Sequence, residues 1–237
     1  MILKLYKYLL FIFYLITLTT CNSNKNIPKK QYVEDEIKSE KIKQEDLNKI
    51  KEVSFKLNDN NVIEFLFEYE KNNKENKVRI YTTEGNIDIL LFNNTPYHRA
   101  NFIYLTKNNY FSETQFYRVI DNFVIQAGNS DDTKISSKRN KIGKYLLPND
   151  FNKGYTHDRG VVSMPSSDID NPYKLASPFE FFIVQKKDGA KHLDGEYTIF
   201  GKVISGMEVV DRIASSPTDN IDWPLNNIYI NKVEIIN

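Results

Sequence analysis

The chain has 237 residues, 41% of them apolar and 27% charged, with 32 Lys and Arg against 31 Asp and Glu and a formal net charge of +1. That length supports one large domain or one domain with appendages, and the balanced charge excludes a general nucleic-acid binder, which needs a basic excess. One cysteine, Cys21, excludes an intramolecular disulfide.

The N-terminus reads as an export signal. Lys4 and Lys7 precede an apolar run, Tyr8–Leu18, shorter than the roughly 20 residues a spanning helix needs but right for the h-region of a secretory signal. Leu18-Thr19-Thr20-Cys21 resembles a bacterial lipobox, which makes 1–20 a signal peptide and Cys21 the lipid-attachment site. Thr20 departs from the small residue usual there. An uncleaved signal anchor and a plain signal peptide are the alternatives, and all three readings export the protein and leave it at or near a membrane. Residues 21–52 alternate acids and bases with little apolar surface, the composition of a solvated tether. In 53–76, Asp59-Asn60-Asn61 stand ready to cap a short helix through Val62, Leu66 and Tyr69, with a strand as the alternative.

From Lys77 the pattern is mainly of strands. Val78–Thr83 and Ile87–Phe92 flank the turn Glu84-Gly85-Asn86 as a hairpin. Thr95-Pro96 then opens a helix with proline at its first position, running to about Asn108. A second hairpin, Phe116–Asn129, bends at Asp121-Asn122, and its register brings Arg118 and Gln126 towards one face. A guanidinium and a carboxamide over an aromatic floor are groups that hold a peptide backbone. The segment Thr133–Tyr145 is polar and basic (Lys134, Lys138, Arg139, Lys141, Lys144) and reads as a solvated loop, with a lid or a partner-binding surface as the lesser alternative. Strands over Gly160–Met164, Phe179–Val184, Thr198–Val203 and Tyr229–Ile236, and a helix over Met207–Ala214, complete the chain. Many short strands with two helices predict a closed antiparallel barrel over 77–237.

Much chemistry is missing. Ser163 sits in no GxSxG elbow, and His98, His157 and His192 are far apart in sequence, in no zinc spacing, so that His98 and His157 read as structural. No Gly-rich loop cradles a phosphate or dinucleotide. What remains is a reaction needing no nucleophile, metal or cofactor.

Five segments, in order, resemble the cyclophilin family of peptidyl-prolyl cis–trans isomerases. Phe116–Asn129 (FYRVIDNFVIQAGN) is similar to the signature FHRVIxxFxxQGGD, and Thr95-Pro96 with Ala100-Asn101-Phe102 and Leu105 to the first helix. His157–Met164 is similar to HxRGxxSMA, Phe179–Ile183 to SQFFI, and Leu193–Gly201 to LDGxHxVFG. The resemblance implies an eight-stranded antiparallel barrel capped by two helices, and an isomerase of proline-containing polypeptides. Arg118 and Gln126 take the catalytic positions; Phe123, Val124, Phe182 and Leu193 seat the substrate. Pro165, Glu180 and Tyr197 fall on the same rim but depart from the family's Ala, Gln and His, and His192 stands where many members have Trp. The expected protein is a monomeric, membrane-anchored envelope isomerase without cofactor, metal or nucleic-acid partner. The alternative is a peptide-binding or chaperone module with the same fold and weak or no catalysis.

Overall fold

The computed structural model describes residues 55–150, 153–166 and 171–237. The expected signal peptide, Cys21 and the tether lie outside the described residues. Lys56–Asn237 form one compact unit.

Eight strands close into an antiparallel barrel: β2 (Lys77–Thr82), β3 (Gly85–Leu91), β4 (Thr114–Ile120), β5 (Val124–Asn129), β7 (Val161–Met164), β8 (Phe181–Val184), β9 (Thr198–Ser205) and β10 (Tyr229–Ile235). The order around the wall is β10-β2-β3-β9-β7-β8-β5-β4, and β10 closes the ring by pairing with both β2 and β4. Alternation in β2 explains its place: Val78, Ile80 and Thr82 are buried while Lys77, Arg79 and Tyr81 face outward. β8 (FFIV) is apolar and buried throughout, whereas β5 (VIQAGN) buries Val124, Ile125 and Ala127 but leaves Gln126 and Asn129 half-buried.

Helix α2 (Pro96–Lys107) has proline in its first turn as expected, although the Thr95 hydroxyl bonds back to the Phe92 carbonyl rather than capping the helix. It buries Phe102 against Phe111 (ring centroids 4.7 Å), Phe181 (5.6 Å) and Phe200 (5.7 Å), an aromatic core shared with β8 and β9. Helix α4 (Met207–Ala214) places Val209, Val210, Ile213 and Ala214 inward. The stretch Val62–Asn72 is a helix, α1, and not a strand. It docks on α2 through Phe65 and Tyr69, whose rings lie 5.0 and 5.4 Å from Tyr104. Arg99 of α2 is 1% exposed, pairs with Glu70 and also donates to the carbonyls of Asn73 (3.4 Å) and Glu75 (3.2 Å).

The basic segment is not a loop. Thr133–Ile142 is a helix, α3, whose first turn is capped by the Asp132 carboxylate accepting from the Lys134 amide at 2.8 Å. Only Ile135 of this helix is buried, so no apolar stripe announced it. It leads into β6 (Gly143–Lys144), which pairs in parallel with β1 (Leu57–Asn58). Gly143 has φ of +141°, and a Cβ there would meet the Leu57 carbonyl oxygen at 1.9 Å, so this pairing requires glycine. Among the described residues no helix is long and apolar enough to cross a membrane.

Candidate active site

The hairpin β4–β5 sets the site. Its turn residue Asn122 has φ of +53°, which Asn tolerates, and the Asp121 carboxylate accepts the Asn122 amide at 2.9 Å. The register pairs Arg118 with Gln126 across β4 and β5, Gln126 with Phe182 across β5 and β8, and Phe182 with Ser163 across β8 and β7. Arginine, amide and aromatic ring therefore stand in one row over three neighbouring strands.

A cavity of about 560 Å³ opens over that row. Every residue expected at the site lines it: Arg118 and Gln126, then Phe123, Val124, Phe182 and Leu193, and the rim residues Pro165, Glu180 and Tyr197. Phe182 and Val124 belong to a small apolar cluster with Val184 and Ala190, against which Phe123, Leu193 and Tyr197 pack. The Tyr197 ring stands edge-on to Phe182 at 5.5 Å. His192 does not line the cavity; its ring stacks behind Phe123 at 5.5 Å and supports that wall. Leu193 is presented by a short 3-10 turn, Lys191–Leu193.

Arg118 is held at its Nε side by Asp222, 3.5 Å away, both side chains being 41% exposed. Asp222 is brought there by its own backbone: its carbonyl accepts the Val119 amide at 2.8 Å, and its φ is +67°. Asp222 is its only ion-pair partner among the described residues. Sequence reading missed this contact because Asp222 lies 104 residues further along the chain.

Behind the aromatic wall is an array that spacing alone did not reveal. His157 Nδ1 lies 2.7 Å from Asp194 Oδ1, and His157 Nε2 lies 3.0 Å from Ser163 Oγ. The carboxylate can only accept, so Nδ1 carries the proton and the Ser163 hydroxyl donates to Nε2. The order Ser–His–Asp is that of a hydrolytic triad. Ser163 and His157 are nonetheless fully buried and neither lines the cavity. No substrate reaches the hydroxyl. The array instead braces the wall, the imidazole stacking on Phe182 at 6.0 Å. Burial pushes the His157 pKa down, against the pull of Asp194, and keeps the ring neutral. His157 thus keeps the structural role the sequence assigned it.

A second array ties Glu180 and Gln126 to three residues the sequence left unassigned to the site, Tyr117, Asn129 and Arg139. Glu180 Oε2 accepts the Tyr117 hydroxyl at 2.9 Å, while Oε1 accepts from Arg139 at 3.1 Å and from Asn129 at 3.2 Å. Gln126 Nε2 donates to Tyr117 Oη. Burial, and then the charge of Glu180, pushes the Tyr117 pKa well above the ordinary phenol value, so the hydroxyl keeps its proton. Arg139 comes from the basic segment read as solvated. Its guanidinium is also held by Tyr110 Oη at 2.7 Å and the Gly128 carbonyl at 3.2 Å. Gly128 itself, with φ of +99°, leaves no room for a Cβ, which would meet the Phe179 carbonyl oxygen at 2.3 Å. Among the described residues no group of three or more His, Cys, Asp or Glu has metal-binding geometry.

Fold and site together are those of a barrel with a peptide-sized groove on its wall. The family described as "Cyclophilin type peptidyl-prolyl cis-trans isomerase/CLD" matches residues 77–235. A peptidyl-prolyl cis-trans isomerase-like 3 from Dictyostelium discoideum is 34% identical over 160 residues, covering 67% of this chain and 94% of the relative. A peptidyl-prolyl cis-trans isomerase-like 2 from Rhizopus delemar is 36% identical over 171 residues; the match covers 71% of this chain but only 30% of that much longer protein. The crystal structure of a Cryptosporidium parvum cyclophilin-type isomerase in the presence of the dipeptide Ala-Pro aligns with a TM-score of 0.57 at 30% identity, covering 68% of this chain and 99% of that one. The chain belongs to the cyclophilin-type peptidyl-prolyl cis–trans isomerase family.

Proposed function

We propose that this isomerase turns X–Pro bonds in exported polypeptides, with Arg118 stabilising the twisted amide and the cavity over β4, β5 and β8 seating the proline. The observation that carries this reading is the row Arg118–Gln126–Phe182, with Phe123, Val124 and Leu193 lining the same cavity. Rotation is slow because amide resonance sets a barrier of about 18–20 kcal/mol. At the twisted geometry resonance is lost and the proline nitrogen carries an available lone pair. A donor aimed at that nitrogen stabilises the transition state more than the planar ground state, which is the condition for acceleration. Arg118 is permanently charged and fork-shaped, and Asp222 holds its Nε side while its terminal nitrogens remain for the peptide. The apolar walls fix the proline ring while Gln126 holds the backbone. Lowering the barrier by about 5–6 kcal/mol corresponds to roughly ten-thousandfold faster exchange.

The test is exchange NMR on a short X–Pro peptide. The protein is expected to broaden and merge the cis and trans signals, and Arg118→Ala to remove most of that effect while peptide binding persists. Binding without accelerated exchange in the unaltered protein would overturn this reading in favour of a peptide-holding module.

The charged n-region, short h-region and lipobox-like Leu18–Cys21 support placing the protein in the cell envelope, facing the periplasm. A lipid on Cys21 and the tether 21–52 would hold the domain off a membrane, as a monomer. Cys21→Ser is expected to abolish lipid labelling and release the protein from the membrane fraction; unchanged labelling refutes the anchor.

A further inference from the structure

We infer that Glu180, Arg139 and Tyr117 are positioning residues that lock the carboxamide of Gln126 in one orientation, so that the site takes peptides offering a backbone N–H to Gln126 Oε1. The inference rests on the isomerase reading above and adds a rule of substrate choice to it.

Proton accounting forces the orientation. An ionised carboxylate has no hydrogen to give, so along the Tyr117–Glu180 contact of 2.9 Å the phenol must be the donor. A phenol has one hydrogen, and with it committed to Glu180, Tyr117 Oη can only accept from Gln126. The amide nitrogen, not the amide oxygen, must therefore face Tyr117. Turning the amide over would set two lone pairs against each other. Oε1 is left at the cavity side, and among the described residues no hydrogen bond reaches it.

The acid is itself fixed. Arg139 and Asn129 occupy Oε1 of Glu180, and Arg139 is anchored in turn on Tyr110, which passes its own hydroxyl hydrogen to the Gly128 carbonyl at 2.8 Å. The guanidinium neutralises the partly buried carboxylate, which an unpaired acid at that depth would need. Donation thus runs one way, from Gln126 through Tyr117 to Glu180, and helix α3 supplies the counter-charge. A glutamine at position 180 would lack this polarity. Its amide can donate to Tyr117 Oη, the phenol can then point at Gln126, and the carboxamide is free to turn over.

An acceptor locked towards the groove favours a residue with a backbone N–H and disfavours proline at that place, since proline has none. The enzyme is therefore suited to isolated X–Pro bonds rather than runs of proline.

Replacing one backbone amide of the substrate by an ester removes the N–H with little change of shape. In a series of X–Pro peptides with each flanking amide so replaced, one position is expected to lose about tenfold in kcat/KM, the effect of leaving one acceptor unpaired. In Glu180→Gln and in Tyr117→Phe that penalty should shrink to within about threefold, because the amide can then turn. The two variants delete different groups, so a shared result does not arise from local damage. Normal exchange with no ester penalty, or an undiminished penalty in both variants, overturns the inference. Absence of exchange in the unaltered protein overturns the isomerase reading instead, and the Kd values of the same peptides then report the amide orientation by the same criterion.

Discussion

Arg118→Lys separates charge from shape. Lysine keeps the positive charge but loses the planar fork and the Nε group that meets Asp222. A drop in kcat of about ten- to hundredfold with KM nearly unchanged is expected from exchange measurements at varied peptide concentration, since the lost interaction belongs to the twisted state. A second residue with a measurable signature is His98. It is fully buried on α2, and neither ring nitrogen has a hydrogen-bond partner among the described residues. Burial pushes its pKa down to about 3 from an ordinary 6.5. An imidazole that protonates more easily in the unfolded chain contributes its stability fully above about 6.5 and loses it as pH falls towards 3. By pH 4 the loss is on the order of 3 kcal/mol. In urea titrations from pH 7 to pH 4, His98→Leu should show a visibly shallower decline. The nearness of Arg118 and Gln126 was legible from the hairpin and its Asp121-Asn122 bend, but their direct pairing follows from a loop of three residues, Asp121–Phe123, which the sequence did not specify. The bracing of Phe182 was not legible. His157, Ser163 and Asp194 meet only because β7 and the turn Lys191–Leu193 fold onto one another, and no local periodicity encodes that.

At the scale of elements, the least legible was α3. A helix with one buried residue has no hydrophobic stripe, and its lysines read as solvated. The signal present was Asp132, a good N-cap, followed by ten residues without Gly or Pro. Asp132→Ala should weaken the helix by about 1 kcal/mol and raise hydrogen exchange of its amides about fivefold, with the barrel strands unchanged. The docking of α1 depends on a more deeply buried contact. Arg99→Ala would leave Glu70 and the carbonyls of Asn73 and Glu75 without their common donor. A loss of about 2–3 kcal/mol is expected by chemical denaturation, since the two carbonyls lose a charged donor while Glu70 keeps Lys74 at 2.6 Å. A loss under about 1 kcal/mol would mean that α1 is held by its apolar face, Val62, Phe65, Leu66 and Tyr69. The helix was readable from Asn61 onward, although the Asn61 side chain bonds to the Asn58 amide and the Lys56 carbonyl instead of capping it; its seat on α2 was not readable, because Arg99 looks in sequence like any surface arginine on a helix.

For the whole molecule, acid is the exposed flank. Besides His98, the hydrogen bonds from Arg79 hold the Asp88 carboxyl below its ordinary pKa, and those from Arg159 do the same for Asp211. A carboxylate held low contributes above its unfolded value and loses that contribution as pH falls through the folded one. Histidine and carboxylates thus act in the same direction, and the denaturation midpoint should decline continuously below about pH 6.5. The ring of strands carries a further consequence. Its closing member, β10, pairs with β2, some 150 residues earlier in the chain, and with β4. Until β10 has been synthesised, β2 and β4 keep open edges and the wall has a gap, so the nascent chain cannot complete its barrel while it is being made. Closure of the wall is therefore the step that β10 controls, and the edges of β2 and β4 are satisfied together when it docks.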